Sequence, residues 1–336
     1  MIKVGFVSSA PDWHWLRQFP GGKAQWGEVT FSFSGDFADC DLLVVYDAVP
    51  ERLSGQLRAP RRLFVASEPA SVKRYDAGFL AQFDLVLTTD PQTSHANVRT
   101  GQLGLPWLIG AWDAAGQRLA KPMTADDFAG YFPPKTRQMS VVTSAKAFTA
   151  GHRQRLDFVR RLKTYFGDEI DLFGRDIKGF GDKSEVLATY RYHIALENCA
   201  TRDYWTEKLA DPLLALTYPI YYGCPNIGDY FAPGALTTID IADFDGTVAT
   251  IRSILASDRY EASRDHLVTA RQRVLGDNNL FAILAGLAPA VVGGEAVAPA
   301  VTGIRNERAF EPWSARFSRK LAKQAGKAKR LILGDR

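Results

Sequence analysis

The sequence has little that would build a covalent or metallic scaffold. Its 336 residues hold three cysteines, Cys40, Cys199 and Cys224. That number is too small and too odd for a disulfide framework, and without a CxxC pair a structural zinc site is not expected. No run reaches the roughly 18 uncharged apolar residues a membrane-spanning helix needs. The opening MIKVGFVSSAPDWHW lacks the apolar core of a signal peptide, so a cytoplasmic protein is expected. No GxGxxG follows the first apolar run, whose loop reads SSAPDW, and no GxxxxGK[ST] occurs anywhere. Dinucleotide-dependent hydride transfer and P-loop phosphoryl transfer therefore lose their main sequence support. A GxSxG elbow is also missing. The histidines (His14, His95, His152, His193 and His266) show no metal spacing.

What is present is a globular composition, 46% hydrophobic and 23% charged. The length is about twice that of a domain of about 150 residues, which points to two domains. The net charge of +4 is unevenly spread. Residues 313–336 carry Arg316, Arg319, Lys320, Lys323, Lys327, Lys329, Arg330 and Arg336 against one acid, Asp335, leaving 33 basic and 36 acidic residues elsewhere. The body is thus slightly acidic, and a nucleic-acid partner is not expected.

Short apolar runs at Ile2–Val7, Leu42–Val45, Leu63–Ala66 and Leu85–Leu87 read as buried strands, with a helix expected over Ser71–Gln82. Strands apolar on both faces suggest a parallel sheet covered by helices. The pattern weakens between Gly101 and Pro134 and restarts at Met139–Val142. A second series follows: helix His152–Lys163, strands Ile170–Phe173 and His193–Glu197, helix Thr206–Leu216, then strands Pro219–Tyr222 and Leu236–Ile239. Residues Asp245–Leu287 read as helical and Val291–Thr302 as a linker. The expected fold class is α/β, with two Rossmann-like domains facing a cleft and a C-terminal helical extension. The expected division is 1–134, 135–295, and a linker plus basic helix over 296–336.

Asp39-Cys40-Asp41 has the DxD spacing of a metal-binding acidic pair, but it directly precedes the strand LLVVY and reads as a strand-capping turn. His193 opens a buried strand and reads as a satisfied core histidine. The densest chemistry lies in residues 190–231. There the strand HIALE delivers Glu197 and Asn198 to its C-terminal end, where ligands bind in such sheets. Thr206-Glu207-Lys208 then opens an amphipathic helix, Thr206 as its cap; first-turn amides plus Lys208 make an anion site suited to a diphosphate. The next strand runs into Tyr221-Tyr222-Gly223-Cys224-Pro225 at the same edge. A plain capped helix with a surface ion pair is the alternative for this segment.

ENCATRDYWTEKLADPLLALTYPIYYGCPNIGDYF resembles the α1,3-fucosyltransferase motif of glycosyltransferase family 10, an E-N strand end, Y-x-T-E-K, then P-I-Y-x-G-x-P. SVVTSAKAFTAGHRQRLDFVRRL is similar to the family's S-x-K segment and R-x-x-F-x-x-x-L helix, aligning Ser144, Lys146 and Arg155; Arg153 falls out of that register. IDLFGRDI matches its D-x-[YF]-G strand. FVASEPASVKRYD aligns Glu68 with the family's glutamate before proline, and HANVRTGQLGLPW aligns the stretch before the domain junction, placing His95 and Trp107 on the acceptor side. The first half diverges, so the acceptor does not carry over.

The resemblance implies a GT-B-type inverting transferase that moves fucose from GDP-fucose to a glycan or glycolipid hydroxyl. Arg155 and Lys208 would neutralise the diphosphate, with Ser144 and Lys146 on the same donor side. Asn198 and Tyr204 would bond phosphate or sugar, Glu207 would hold the ribose, and Glu68 would be the general base. The chemistry agrees with this assignment: a carboxylate can take the acceptor's proton, and fixed cations with helix amides can stabilise the departing diphosphate. No cofactor is then required and a divalent metal is not essential. Another GDP-sugar as donor, or a silent sugar-nucleotide-binding protein, remains the alternative.

Within 313–332, Trp313, Phe317, Leu321, Ala325, Ala328 and Leu331 recur at helical spacing among basic residues. Bacterial family members often end in basic amphipathic segments. Peripheral contact with an anionic membrane and packing back onto the body are both open to this segment. The oligomeric state is not legible.

Overall fold

A computed structural model describes residues 1–35, 37–143, 150–174, 177–298 and 303–311. The first sheet contains β1 (Ile2–Ser8), β2 (Gln25–Trp26), β3 (Val29–Ser32), β4 (Leu42–Tyr46), β5 (Arg61–Val65), β6 (Leu85–Thr88) and β7 (Val98–Thr100), in the order β2-β3-β1-β4-β5-β6-β7. All neighbours are parallel except the β2–β3 hairpin. Every residue of β4 is buried, as expected of a central strand covered on both faces. Alternate residues feed two cores. Val4, Phe6, Leu42, Val44 and Leu63 enter one, and Val7, Leu43, Val45 and Phe64 the other.

The second sheet has β8 (Arg137–Val142), β9 (Ile170–Phe173), β10 (Tyr190–Leu196), β11 (Tyr218–Tyr222) and β12 (Thr237–Thr238), in the order β12-β11-β10-β8-β9, all parallel. The helices are α1 (Ala77–Leu80), α2 (Ala125–Ala129), α3 (Ala150–Phe166), α4 (Ser184–Leu187), α5 (Glu207–Leu214), α6 (Phe244–Leu255), α7 (Arg259–Ala262), α8 (Arg264–Leu275) and α9 (Leu280–Gly293). Helices α3, α5, α6 and α8 contribute to one core with this sheet. No helix among the described residues is long and apolar enough to cross a membrane by itself.

Three expectations are corrected. Helix α9 packs in the first domain's core: Phe281 stacks on Phe19 with ring centroids 4.1 Å apart, and Leu284 and Ala288 join the same cluster. Residues 303–311 also lie on that domain, with the amide of Ile304 donating to the carbonyl of Leu57 and that of Arg305 to Gln82. Packing therefore does not follow the division at residue 295, because the apolar face of α9 is matched by the first sheet. The helix expected over 71–82 shrinks to α1, capped by Asp76 through the amides of Gly78 and Phe79. Its forerunner SVKRYD has no apolar stripe, and Lys73 and Tyr75 turn instead to Asp47. The hairpin β2–β3 and the strand β7 are too short for periodicity to reveal. The segment 313–336 lies outside the described residues.

The irregular segment between the sheets is held from both sides. The Asp182 carboxylate accepts from the amides of Gly110 (2.9 Å), Ala111 (3.0 Å) and Trp112 (3.2 Å), and Asp211 accepts from Leu108 (2.8 Å). From the first domain, buried Arg17 donates to the carbonyls of Ile109 and Met123. Asp182→Ala strands these amides without their charged acceptor. It is expected to lower the unfolding free energy by about 2–4 kcal/mol, read from the urea midpoint at unchanged m-value.

Candidate active site

The site begins at the end of β10. Glu197 turns inward and is fully buried, so its carboxyl must find donors. It accepts from the amide of Thr206 at 2.8 Å and from its hydroxyl at 2.9 Å, and Lys208 Nζ lies 3.6 Å away. Gly223 makes room for this, since a Cβ there would come within 2.5 Å of the Glu197 side chain and 2.4 Å of the Tyr221 hydroxyl. Thr206 caps α5 by accepting from the amide of Lys208.

Helix α5 then presents a ladder of alternating charge. Lys208 Nζ donates to Glu207 at 3.2 Å, Lys183 lies 3.7 Å from Glu207, and Lys183 reaches Asp211 at 2.7 Å. Burial would raise the Glu207 carboxyl, but Lys208 and Lys183 outweigh it and hold the group down at about 2. Burial likewise disfavours the Lys208 ammonium, and Glu207 and Glu197 reverse that and raise it. Lys208 is thus fixed as a cation and already countered.

Arg155 differs. It lies on the buried face of α3 and donates through Nη1 to the side-chain oxygen of Asn198. Among the described residues no carboxylate is in ion-pair contact with it, and its Nε has no partner. Burial lowers its affinity for the proton, opposed by Glu197 and Glu207. Arg153, two residues earlier, is exposed. Arg155, Lys183, Glu207 and Lys208 line a cavity of about 290 Å3, which also reaches Thr143 and Gly174. Only glycine fits at 174, where φ is +143° and a Cβ would stand 1.6 Å from the carbonyl oxygen of Thr143. A buried cation without a matched anion beside a capped helix start is a place for a ligand's negative charge.

Glu68 follows β5 on the opposite rim. Its side chain is open to the cleft, yet the charges of Lys208 and Glu207 act on it, as does Asp47. Its own charge reaches Tyr204, whose buried hydroxyl is raised by burial and then by Glu197 and Glu68. The two rims thus face one another. Burial and Asp47 push the Glu68 carboxyl upward, while Lys208 and Lys73 oppose them. Asp47 has left-handed backbone (φ 66°) and accepts from the Tyr75 hydroxyl at 2.9 Å and from Lys73 at 3.3 Å.

Arg155, Glu207 and Lys208 line one cavity, and Asn198 is bonded to Arg155. Glu68 lines a separate cavity of about 140 Å3 with Lys73 and Tyr75, and its connection to Tyr204, Glu207 and Lys208 is through charge. Ser144 and Lys146 lie outside the described residues. Trp107 is buried, its ring edge-on to Phe128 and 5.2 Å from the Arg17 guanidinium, so it presents no open face. The ring nitrogens of His95 meet the carbonyls of Asn97 (2.7 Å) and Phe83 (2.9 Å), a staple for the loop before β7. Buried His193 is bonded to the Ser140 hydroxyl at 2.8 Å, and burial pulls it down to about 3. Asp41 of the DxD triplet accepts from the amide of Lys3 at 2.8 Å. Among the described residues no group of three or more His, Cys, Asp or Glu could hold a metal ion. Sequence reading missed Asp211, which its i, i+4 spacing from Glu207 could have flagged, and Lys183, for which no local signal exists.

Two Rossmann-like sheets with facing C-terminal rims define a GT-B-type fold. A crystal structure of an α1,3-fucosyltransferase with GDP-fucose superimposes with a TM-score of 0.53 at 16% identity, covering 89% of this chain and 92% of that one. Residues 132–262 match the model of the family described as glycosyltransferase family 10 (fucosyltransferase), C-terminal part. It is 33% identical over 119 residues to a GDP-fucose protein O-fucosyltransferase 3 of Bos taurus, covering 30% of this chain and 24% of that protein. An alpha-(1,3)-fucosyltransferase B of Drosophila melanogaster is 35% identical over 92 residues, covering 26% of this chain and 20% of the relative. A putative fucosyltransferase-like protein of Arabidopsis thaliana is 26% identical over 274 residues, covering 78% of this chain and 47% of the relative. The chain thus spans between a fifth and a half of the length of these curated relatives.

The Glu68 carboxyl is expected to titrate above the ordinary glutamate value, read by 13C NMR of the selectively labelled protein. Asp47→Asn removes a neighbouring negative charge and is expected to move that titration to lower pH. An unchanged titration would break the electrostatic link between the two carboxylates.

Proposed function

We propose that this chain is an inverting fucosyltransferase that transfers fucose from GDP-fucose to a hydroxyl of a glycan acceptor. The observation that carries the reading is an exposed carboxylate, Glu68, on which the charges of Lys208 and Glu207 at the start of α5 act, together with an Arg155 guanidinium that has no carboxylate in contact among the described residues. The relatives' names supply the donor: the bovine protein is named for GDP-fucose and the fruit-fly protein for α-(1,3)-fucosyl transfer.

Glu68 accepts the acceptor's proton as the hydroxyl oxygen bonds to the anomeric carbon. The bond from that carbon to the diphosphate oxygen breaks, and its electron pair leaves with GDP. Arg155 and Lys208 face the charge that develops there. Direct displacement inverts the anomeric centre, giving an α-linkage from a β-linked donor. Asn198 and Tyr204 bond phosphate or sugar, and Glu207 the ribose; ligand entry then requires Asn198 to share or release its bond to Arg155. The side chains of Glu68 and Lys208 supply the proton acceptor and the fixed charge that the displacement needs, and GDP-fucose is its co-substrate. The basic segment 313–336 is proposed, on charge alone, to rest on an anionic membrane surface.

A panel of GDP-, UDP- and CMP-sugars assayed for hydrolysis and transfer tests the donor, with GDP-fucose expected to lead. GDP-mannose or a UDP-sugar in front would overturn the choice of sugar. Glu68→Gln is expected to abolish transfer while GDP still raises the melting temperature. Arg155→Gln and Lys208→Ala are expected to lose most of that rise; retention of it by both would place the diphosphate elsewhere.

A further inference from the structure

We propose that the cleft beside β1 in the first domain is a second sugar-binding subsite, which takes the anionic, non-reacting part of an oligosaccharide acceptor. The proposal rests on the fucosyltransferase reading and adds the chemical class of the acceptor.

The cleft measures about 1060 Å3, well above the 290 Å3 of the cavity at α5. None of the residues lining it belongs to the donor machinery. Its walls are aromatic and basic, including Trp13, His14, Arg17, Lys121 and Tyr131. Aromatic faces match the C–H face of a sugar ring, and a few polar groups orient the ligand. The lining acid, Asp127, is already used, accepting from the amide and hydroxyl of Thr124, both at 2.8 Å. Lys121 is exposed, with no ion pair among the described residues. Arg17 is 3% exposed and has no carboxylate in contact among the described residues. Its Nη1 and the indole nitrogen of Trp13 are both buried without a hydrogen-bond partner. The exposed Lys121 on the cleft wall, with the Arg17 charge and these unpaired donors behind it, favours a ligand with carboxylate or phosphate oxygens.

Position connects the cleft to the chemistry. The loop that carries Trp13 leaves the end of β1, β1 pairs with β4, and β4 pairs with β5, whose end bears Glu68. All three strands are parallel, so Trp13 and Glu68 share one rim. Strand spacing puts the ends of β1 and β5 about 10 Å apart, a span that a short oligosaccharide bridges with one hydroxyl at the base. Ser9, where this loop starts, is hydrogen-bonded to Asp47 beside Glu68.

The test is calorimetric titration of the full chain, with saturating GDP to block the donor site. The probes are trigalacturonic acid, neutral maltotriose and sodium sulfate. Trigalacturonic acid is expected to bind at least about tenfold more tightly than maltotriose. Trp13→Ala should weaken both sugars, and Lys121→Gln, at an exposed position, should remove the preference for the acidic one. Failure of trigalacturonic acid to bind, or binding unaltered in both variants, overturns the subsite; sulfate binding as tightly as the trimer reduces it to an anion site. GDP-fucose hydrolysis is measured on aliquots of the same preparations to which no GDP has been added. Hydrolysis without trimer binding removes the subsite alone, whereas trimer binding without hydrolysis removes the fucosyltransferase reading alone.

Discussion

The carboxylate of Asp182 gathers three consecutive backbone amides of the junction segment, Gly110, Ala111 and Trp112, while Asp211 takes that of Leu108. Arg17 holds the same segment from the first domain through the carbonyls of Ile109 and Met123. Both sets of contacts are largely buried, and charge-assisted bonds to backbone in a low-dielectric junction resist sliding. That matters because the proposed chemistry needs Glu68 on one rim and Lys208 on the other. Asp211 links the two tasks: it binds the junction with one oxygen and Lys183 with the other, and Lys183 continues to Glu207. The clamp and the charge ladder of α5 thus form one network, and the donor-side side chains are positioned by the residues that orient the domains.

Within the site, the electrostatics divide the cations into two kinds. Lys208 and Lys183 are ringed by Glu197, Glu207 and Asp211, so their charge is spent largely on holding helix α5 and its cap in shape. Arg155 has no carboxylate in contact among the described residues and a buried Nε without a partner. A ligand's negative charge gains most where the protein has not already supplied one. In the proposed reaction the guanidinium is therefore the principal electrostatic attraction for a diphosphate, with Lys208 as its complement.

Much of the fold was legible because its signals are local. Strand runs such as LLVVY and LVLT and the Thr206 cap each lie within about a dozen residues. The helix read over 71–82 failed because Lys73 and Tyr75 answer to Asp47, some 26 to 28 positions away. Helix α9 was recognised as a helix, but its destination depended on Phe19 and the first sheet, far away in the chain. Trp107, aligned to an acceptor-side position, proved to be a core residue at the junction.

The sequence alone determined the α/β class, the capped helix and the inventory of charged side chains at the second sheet's edge. Local propensity and hydrophobic period encode these within single elements. Only the tertiary structure decided that the charge of Lys208 acts on Glu68, that Lys183 joins the ladder, that Glu197 is a buried brace, and that Arg155 has no carboxylate in contact among the described residues. Those outcomes depend on burial and on contacts between residues far apart in the chain, which no short window of sequence can express.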